Sequence, residues 1–217
     1  MSVSIITTVI TPASSYDLID LATVKDDWGI SGTGDDAFLT RSISRCSAAA
    51  AQFCNRVLAS ETVKDEIRID RDQYPYQVPG GVQFLQLSRW PVSSVASVVE
   101  GVGDNTTTLV AGDDYTVNKA NGQITRIGSQ GYPIVWPASL IVVTYTAGYA
   151  TVPSDLQDAV SRMVWTRYAE RRRDPFVQRV RVDGVDDVTY ITPKADAGNL
   201  SADVSDILDN YRVPQIG

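Results

Sequence analysis

Two short acidic runs place carboxylates close enough together to suggest chemistry. Asp113 and Asp114 follow a glycine in "GDD", and Asp186 and Asp187 end the run "DGVDD". Paired carboxylates can act as general acid and base in hydrolysis, and oxygen-rich loops can hold Ca²⁺. Neither run has the D-x-[DN]-x-[DN]-G spacing of an EF-hand loop. We therefore predict solvated turns at both places and keep a small hydrolase with paired carboxylates as a distant alternative.

The rest of the composition excludes the commonest catalytic and metal-binding arrangements. The chain has no histidine, which removes the commonest general base and the commonest metal ligand. Cys46 and Cys54 are poor metal ligands because they share a predicted helix, and their Cα atoms would lie ~12 Å apart, too far for a disulfide. The glycine-bearing loops "SGTGDD" and "GVGDN" lack the spacing of phosphate-binding motifs. We predict no catalytic residue, no cofactor and no metal site, and we assign the four tryptophans to core packing.

Arginines concentrate in one segment of an otherwise acidic chain. Nineteen lysines and arginines against 26 acidic residues give a net charge of −7, which disfavours indiscriminate binding to nucleic acid. Cations near a helix C-terminus are stabilised by the helix dipole, so a solvated helix end is one interpretation. The alternative is contact with DNA phosphate or with an acidic neighbour, including another copy of the chain. The candidate contact residues are Arg171, Arg172, Arg173, Arg179 and Arg181.

Targeting signals are not evident in the sequence. No stretch approaches the ~20 apolar residues of a membrane span, and the first residues lack the positive region of a secretory signal. We expect no membrane partner. The two cysteines are interpreted as small buried side chains of a protein made in a reducing cytoplasm.

Hydrophobic periodicity predicts the elements that must position these residues. Helical spacing indicates helices over residues 16–28, 35–59 and 153–171, and the second carries a continuous apolar stripe. Residues 61–147 alternate instead as in β-strands, with a hairpin whose type I′ turn is predicted at Asn121-Gly122. The last strand passes directly into the third helix across "AGYATVP", where Gly148 permits an unusual backbone angle.

The order of elements predicts an α+β fold, namely a helical bundle with an inserted antiparallel β module and an extended C-terminal arm. The helical halves can pack together only if the inserted segment leaves and returns at nearby points. The predicted divisions are a mobile or strand-like N-terminal arm (1–15), the bundle (16–60 and 148–174), the β module (61–147), and a C-terminal arm with a short helix (175–217).

Five segments, taken together in order, resemble a known family. They are "LIDLATVKDDWGISGTGDDAFLTRSISRCSAAAAQFCNRVL", "LSRWPVSSVASVVEG", "GDDYTVNKANGQITRI", "IVVTYTAGYATVPSDLQDAVSRMVWTRYAERR" and "ILDNYRV". Their packing and turn residues, over most of residues 16–213, resemble the head–tail connector, or adaptor, proteins of long-tailed bacteriophages. The N-terminal arm and the segment "VQRVRVDGVDDVTYITPKADAGN" depart from the family pattern.

The resemblance implies a structural protein of the virion at the head–tail interface. Such proteins form a ring, typically a dodecamer, beneath the portal, and the ring extends the DNA channel toward the tail. The implied partners are further copies of the chain, the portal, the next neck, stopper or tail protein, and double-stranded DNA that passes without sequence-specific binding. Another neck or tail component, such as a stopper or tail terminator, is the alternative. The long helices disfavour it, because those proteins are usually rich in β-structure throughout.

The resemblance also suggests a portal contact for the C-terminal segment. A short helix near residue 205 would place Val204, Ile207, Leu208 and Tyr211 near one face, and such a segment is stable only against a partner. The alternative partner is the protein's own bundle, onto which the helix would fold back. The candidate portal-contact residues are Ile207, Leu208, Tyr211, Arg212, Val213 and Ile216.

Overall fold

The structure is a computed structural model that describes residues 2–70, 82–137, 140–171, 179–182, 186–189 and 200–213. It is a mixed α and β structure with antiparallel sheets. The helices of the described residues are α1 (Leu21–Asp27), α2 (Asp36–Phe53), α3 (Ser154–Glu170) and α4 (Ala202–Asp209). Their strands are β1 (Ser2–Thr11), β2 (Glu61–Asp70), β3 (Phe84–Gln86), β4 (Val92–Val102), β5 (Asn105–Leu109), β6 (Tyr115–Asn118), β7 (Gln123–Ile127), β8 (Pro133–Ile134), β9 (Leu140–Ala147), β10 (Arg179–Val182) and β11 (Asp186–Thr189).

The chain divides into two compact units, each assembled from two stretches of sequence. The first unit combines Met1–Ser14 with Ala59–Ala150 and holds strands β1–β9. The second combines Ser15–Leu58 with Thr151–Gly217 and holds the four helices and the antiparallel pair of β10 and β11. No helix of the described residues is long and apolar enough to cross a membrane.

Two antiparallel sheets enclose the core of the first unit. One has five strands in the order β1-β2-β9-β4-β5, and the other has the order β3-β7-β6 with β8 also paired to β7. Strand β9 alternates in its exposure along its length, which is the pattern of a strand buried on one face. The side chains that are wholly buried in this core come from both sheets and include Val63, Ile67, Leu85, Ile124, Trp136, Ile141 and Tyr145.

The hairpin of β6 and β7 is present, but its turn differs from the prediction. Asn118 pairs with Gln123, so the connection contains four residues rather than a two-residue type I′ turn at Asn121-Gly122. The carbonyl groups of this loop accept hydrogen bonds from neighbouring segments: Val92 N donates to Lys119 O at 2.7 Å, and the Gln86 amide donates to Asn121 O at 2.7 Å. These tertiary contacts favour the wider loop over the turn that the local sequence prefers.

The predicted corner after β9 has the backbone geometry that the sequence suggested. Gly148 has a φ of +104° and donates its N–H to Pro91 O at 2.9 Å. An added Cβ at this position would lie 2.1 Å from the Ala59 carbonyl oxygen. Glycine is therefore required both by the backbone angle and by the close approach of the chain that enters the unit at Ala59.

The helices of the second unit pack by apolar stripes. Helix α2 contacts α3, and α3 contacts α4. The buried side chains that these helices share are Leu39, Ile43, Cys46 and Ala50 of α2, Leu156, Ala159, Val160 and Val164 of α3, and Val204 and Leu208 of α4. The stripe predicted for the second helix is thus the buried face of α2.

Two helix ends differ from those expected from the sequence. Helix α1 begins at Leu21, five residues after the predicted start at residue 16, because the Asp20 carboxylate accepts the Thr23 N–H at 2.8 Å and caps the helix there. Helix α2 ends at Phe53 rather than near residue 59. Asn55 has a positive φ of +51°, a conformation that ends a helix.

Candidate functional site: a candidate assembly interface

The paired aspartates of the two acidic runs lie in a turn and in a β-strand. The Asp114 carboxylate accepts the Val110 N–H at 2.8 Å within a turn, and Asp113 is exposed beside it. Asp186 and Asp187 lie in strand β11, opposite Val182 and Arg181, so the prediction of a solvated turn at these two residues is wrong. The part of the chain that the structure describes holds no group of three or more potential metal ligands.

Arg171, the first arginine of the candidate segment, packs against a row of aromatic rings in the second unit, which we call the aromatic–arginine ladder. Arg171 forms an ion pair with Asp35 at 2.6 Å, and its guanidinium lies 5.0 Å from the centre of the Phe38 ring and 5.9 Å from that of Tyr168. The Tyr168 hydroxyl donates to the other oxygen of Asp35 at 2.8 Å. The Asp35 carboxylate makes no cap hydrogen bond at the start of α2 and holds the C-terminal end of α3 instead.

The ladder continues along α3 through two stacked tryptophans. Trp165 lies 5.8 Å from Tyr168 and stacks on Trp28 at 4.7 Å with an interplanar angle of 6°. The Trp28 indole N–H donates to Ser161 Oγ at 2.8 Å, and Ser161 donates to Asp27 at 2.7 Å. Hydrogen bonds to Ser161 and Asp27 therefore fix the position of the Trp28 ring, on which Trp165 stacks.

Chemically, this aromatic–arginine ladder is suited to binding rather than to catalysis. Its members, Trp28, Phe38, Trp165, Tyr168 and Arg171, are half-buried or exposed, and Trp, Tyr and Arg are the residues enriched in the energetic centres of protein interfaces. Of the four tryptophans assigned to core packing, Trp136 is fully buried, whereas Trp28, Trp90 and Trp165 are half-buried. Steps of three residues from 165 to 168 to 171, in the last turns of α3 and at its C-cap, were the signal that could have shown the ladder.

The other candidate arginines have little structural description. Arg172 and Arg173 lie outside the described residues. Arg179 and Arg181 lie in β10, which pairs with β11 so that Arg181 is opposite Asp187 and Arg179 is opposite Thr189. An electrostatic contact of these arginines with a neighbouring subunit or the portal stays a prediction.

The C-terminal helix packs on the chain's own helices. Val204 and Leu208 of α4 are buried, α4 contacts α3, and the Cys54 thiol donates to Leu208 O at 3.5 Å. Arg162 of α3 pairs with Asp203 at 2.8 Å. Of the two arrangements left open by the sequence, the chain therefore adopts the one in which this helix folds back, and the partner that stabilises it is α3.

The residues after α4 are also attached to their own unit. The Tyr211 hydroxyl donates to the Asp155 carboxylate at 2.6 Å, and the Arg212 guanidinium lies 5.3 Å from the centre of the Phe53 ring. Val213 N donates to Cys54 O at 3.0 Å. Ile207 is half-buried, and Ile216 lies outside the described residues. The backbone at Val213, the last described residue, is therefore fixed, and a contact of residues 214–217 with a portal stays a prediction.

Solved structures of similar fold come from gene transfer agent (GTA) particles. Two chains with TM-scores of 0.56 belong to "Neck of empty GTA particle computed with C6 symmetry", at 16% identity, and "Virion of native gene transfer agent (GTA) particle", at 17% identity. A third, from "Neck of native GTA particle computed with C12 symmetry", has a TM-score of 0.54 and 18% identity. Each match covers 97% of this chain and 96% or 97% of the other. At this identity the likeness establishes a shared fold.

A comparison with protein-family models shows the family of this chain. The family model described as "Head completion protein" matches residues 17–213, nearly the whole chain. The chain belongs to the head completion protein family, which confirms the resemblance to phage head–tail connector proteins and makes it a structural protein of the virion neck. No curated protein matches the chain.

Proposed function

We propose that the protein forms a homo-oligomeric ring, a dodecamer, beneath the portal and connects the DNA-filled head to the neck and tail. The observation that carries this proposal is the membership of residues 17–213 in the head completion protein family. The shared fold with neck chains of particles that have C6 and C12 symmetry supports the ring. A net charge of −7 suits a channel wall past which DNA slides without binding.

The architecture that we propose for this role is the one expected from the sequence. Residues 16–60 and 148–174 form a helical bundle, and residues 61–147 form a β module inserted into it. Strand β1 of the N-terminal arm adds an edge strand to the larger sheet of this module. The protein is made in the cytoplasm of the host and acts in the virion without enzymatic activity, cofactor or membrane. The structural use of Asp114 and the location of Asp186 and Asp187 in a strand support this role over that of a hydrolase.

A stopper or a tail terminator is the second candidate, since both also occupy the neck and tail. The two candidates differ in what they bind first. A connector binds DNA-filled heads that carry only the portal, whereas a stopper or terminator needs the connector or the tail to be in place. The four helices of the described residues favour the connector.

The ring is tested by native mass spectrometry of the purified protein, alone and after mixing with DNA-filled heads that lack neck proteins. We expect an integral multiple of the chain mass, or a monomer that joins the heads and forms a ring there. Subtomogram averaging of the heads would show the new density below the portal. A protein that binds only to heads already carrying a connector would contradict the proposal and favour the stopper.

Removing residues 214–217 is expected to weaken binding to DNA-filled heads by about tenfold or more, because an extended peptide that inserts between subunits gains affinity from backbone hydrogen bonds. Val213 fixes the start of this tail, so the truncation leaves the unit intact. Co-sedimentation with heads measures the loss, and thermal unfolding checks the fold. Truncation at residue 200 is an unsuitable test since it removes the buried Leu208. Unchanged binding after the four-residue truncation would refute the portal contact of the tail.

The Arg171→Ala variant tests the ladder. It removes the ion pair with Asp35 and the cation over Phe38, and these contacts contribute only about 1 kcal/mol to the stability of the isolated chain. If the ladder binds an acidic neighbour, ring formation will require about tenfold more protein, because truncating an arginine at the centre of an interface costs more than 1 kcal/mol. The matched control is Arg167→Ala, an exposed arginine of the same helix. Equal effects of the two substitutions on assembly would argue against the ladder as an interface.

A further inference from the structure

Strand β1 is an unprotected edge of the five-stranded sheet. It is ten residues long and contains no charged residue and no proline. Its only strand partner among the described residues is β2, and the register of this pairing shifts once, between Val9 and Thr11 at the end of the strand. Edge strands of proteins that stay monomeric are usually short or carry charges, prolines or bulges that prevent pairing with another chain. Five of its apolar side chains are at least 40% exposed, namely Val3, Ile5, Ile6, Val9 and Ile10.

One row of these side chains continues the core of the first unit. Val9, Ile5 and Val3 stand opposite Val63, Ile67 and Ile69 of β2, which are buried. Directly paired residues lie on the same face of a sheet, so this row forms the open margin of the core. Thr7, in the same row, donates its hydroxyl to the buried Asp65 at 2.7 Å and fixes the position of β1. Another element placed beside β1 would close this margin.

The opposite edge of the same sheet is also uncharged. Strand β5 has the sequence NTTTL, and all its side chains except Leu109 are exposed. Copies of a chain with a net charge of −7 repel one another, so two uncharged strips are surfaces on which they can meet at little electrostatic cost. Strand β1 of one copy and strand β5 of another are therefore suited to form one contact between copies.

The sheet topology sets the direction of such a contact. Each neighbouring pair from β1 to β5 is antiparallel, so β1 and β5, four steps apart, run in the same direction. The small rotation between neighbours in a many-membered ring preserves this direction. A head-to-tail interface joins two different surfaces and closes into a ring, whereas pairing of β1 with another β1 would be antiparallel and would give a two-fold dimer.

We propose that the outer edge of β1 in one copy pairs in parallel with the outer edge of β5 in the next copy, so that the sheets of neighbouring subunits are continuous around the ring. This inference rests on the proposed ring and names its subunit contact. The hydrogen bonds of the strand edges set register and direction, and the row of Val3, Ile5 and Val9 extends the core across the interface.

Cysteine cross-linking tests the pairing. Ile6 lies on the face of the sheet away from the core, as do Thr106 and Thr108 of β5, so Ile6→Cys is combined with Thr106→Cys or with Thr108→Cys. Within one copy these positions are separated by three strands, roughly 19 Å, too far for a disulfide. The native cysteines do not interfere because both are fully buried, and burial raises the pKa of Cys54 to about 11.

For at least one of these two combinations, oxidation of the assembled protein is expected to give a series of covalent multimers in non-reducing gel electrophoresis. The matched control is Ile6→Cys with Thr107→Cys, whose side chain lies on the core face, and its yield should be at least about fivefold lower because the two thiols point to opposite faces. Native mass spectrometry of each variant reports whether the ring is present.

Three results would overturn the inference. A ring by native mass with no cross-link from either combination refutes the β1–β5 contact and leaves the proposed function intact. Covalent dimers from Ile6→Cys alone show two-fold pairing of β1 with β1. Protein that remains monomeric in solution and on DNA-filled heads, without cross-links, overturns both the contact and the ring.

Discussion

The Asp65→Ala variant is expected to lose about 3–5 kcal/mol of its free energy of unfolding. Asp65 is fully buried and accepts four hydrogen bonds. They come from the Thr7 hydroxyl at 2.7 Å, the Ser88 hydroxyl and Ser88 N–H at 2.8 Å each, and the Tyr145 hydroxyl at 2.7 Å. Alanine leaves the buried Tyr145 hydroxyl and the Ser88 N–H without this acceptor, and the backbone N–H cannot reorient.

Chemical denaturation of the variant measures this loss. Asp113→Ala is the matched control, because Asp113 is exposed and its replacement should change the free energy of unfolding by less than about 0.5 kcal/mol. Tyr145→Phe removes one of the four donors and should cost about 1–2 kcal/mol. An Asp65→Ala protein as stable as the Asp113 control would show that the network contributes nothing.

The same network predicts a pH dependence at the alkaline end. Burial, with the Asp65 carboxylate nearby, raises the pKa of Tyr145 above its ordinary value of 10.0. The folded state therefore holds the Tyr145 proton to a higher pH than the unfolded state does, so this contribution is complete below pH 10 and is lost as the pH rises above it. The Tyr145→Phe variant should show a smaller loss of stability above pH 10.

The Gly148→Ala variant is expected to be destabilised by about 3–5 kcal/mol. Two effects add at this position. A φ of +104° is unfavourable for alanine, and the new Cβ would lie 2.1 Å from the oxygen and 2.6 Å from the carbon of the Ala59 carbonyl, which are backbone atoms that cannot rotate away. To relieve the clash, the backbone at Ala59, where the chain enters the first unit, and the backbone at Gly148, near where it leaves, would have to move apart.

Gly103→Ala separates the two effects. Gly103 has a φ of +62°, but a Cβ there would have no atom within 4 Å. It should therefore show only the conformational cost, about 1 kcal/mol. Thermal and chemical unfolding of both variants give the comparison. If the two substitutions cost the same, the close approach at Ala59 has no energetic role.

Local pattern predicted much of the secondary structure. The apolar residues of α2 and α3 recur at helical spacing and those of β9 alternate, and each of these elements is buried on the predicted face. The corner at Gly148 was also apparent, because a change of hydrophobic period next to a glycine leaves few alternatives for the backbone. Periodicity records which face of one element is buried, and this information lies within a few adjacent residues.

The partner of each element was not determined in this way. The sequence left α4 free to bind the portal or its own unit, and the packing of Leu208 against α3 decides this for the isolated chain. The aromatic–arginine ladder joins Asp35 to Tyr168 and Arg171, which are more than 130 residues away along the chain. No periodicity within a helix indicates which distant carboxylate its last turn will meet.

The clearest case is Asp65, which the sequence shows only as one charge in the alternating run "ETVKDEIRID". Alternation correctly predicts that every second residue of β2 faces the core, and Asp65 occupies one of these positions together with Val63 and Ile67. A buried carboxylate is tolerable only if donors surround it, and these donors come from β1, from Ser88 and from Tyr145, which is 80 residues away. The sequence by itself determined most of the strands and helices and which of their faces are buried. Only the tertiary structure decided which polar groups meet, because hydrogen-bond partners are fixed by distances between segments that are far apart in the chain.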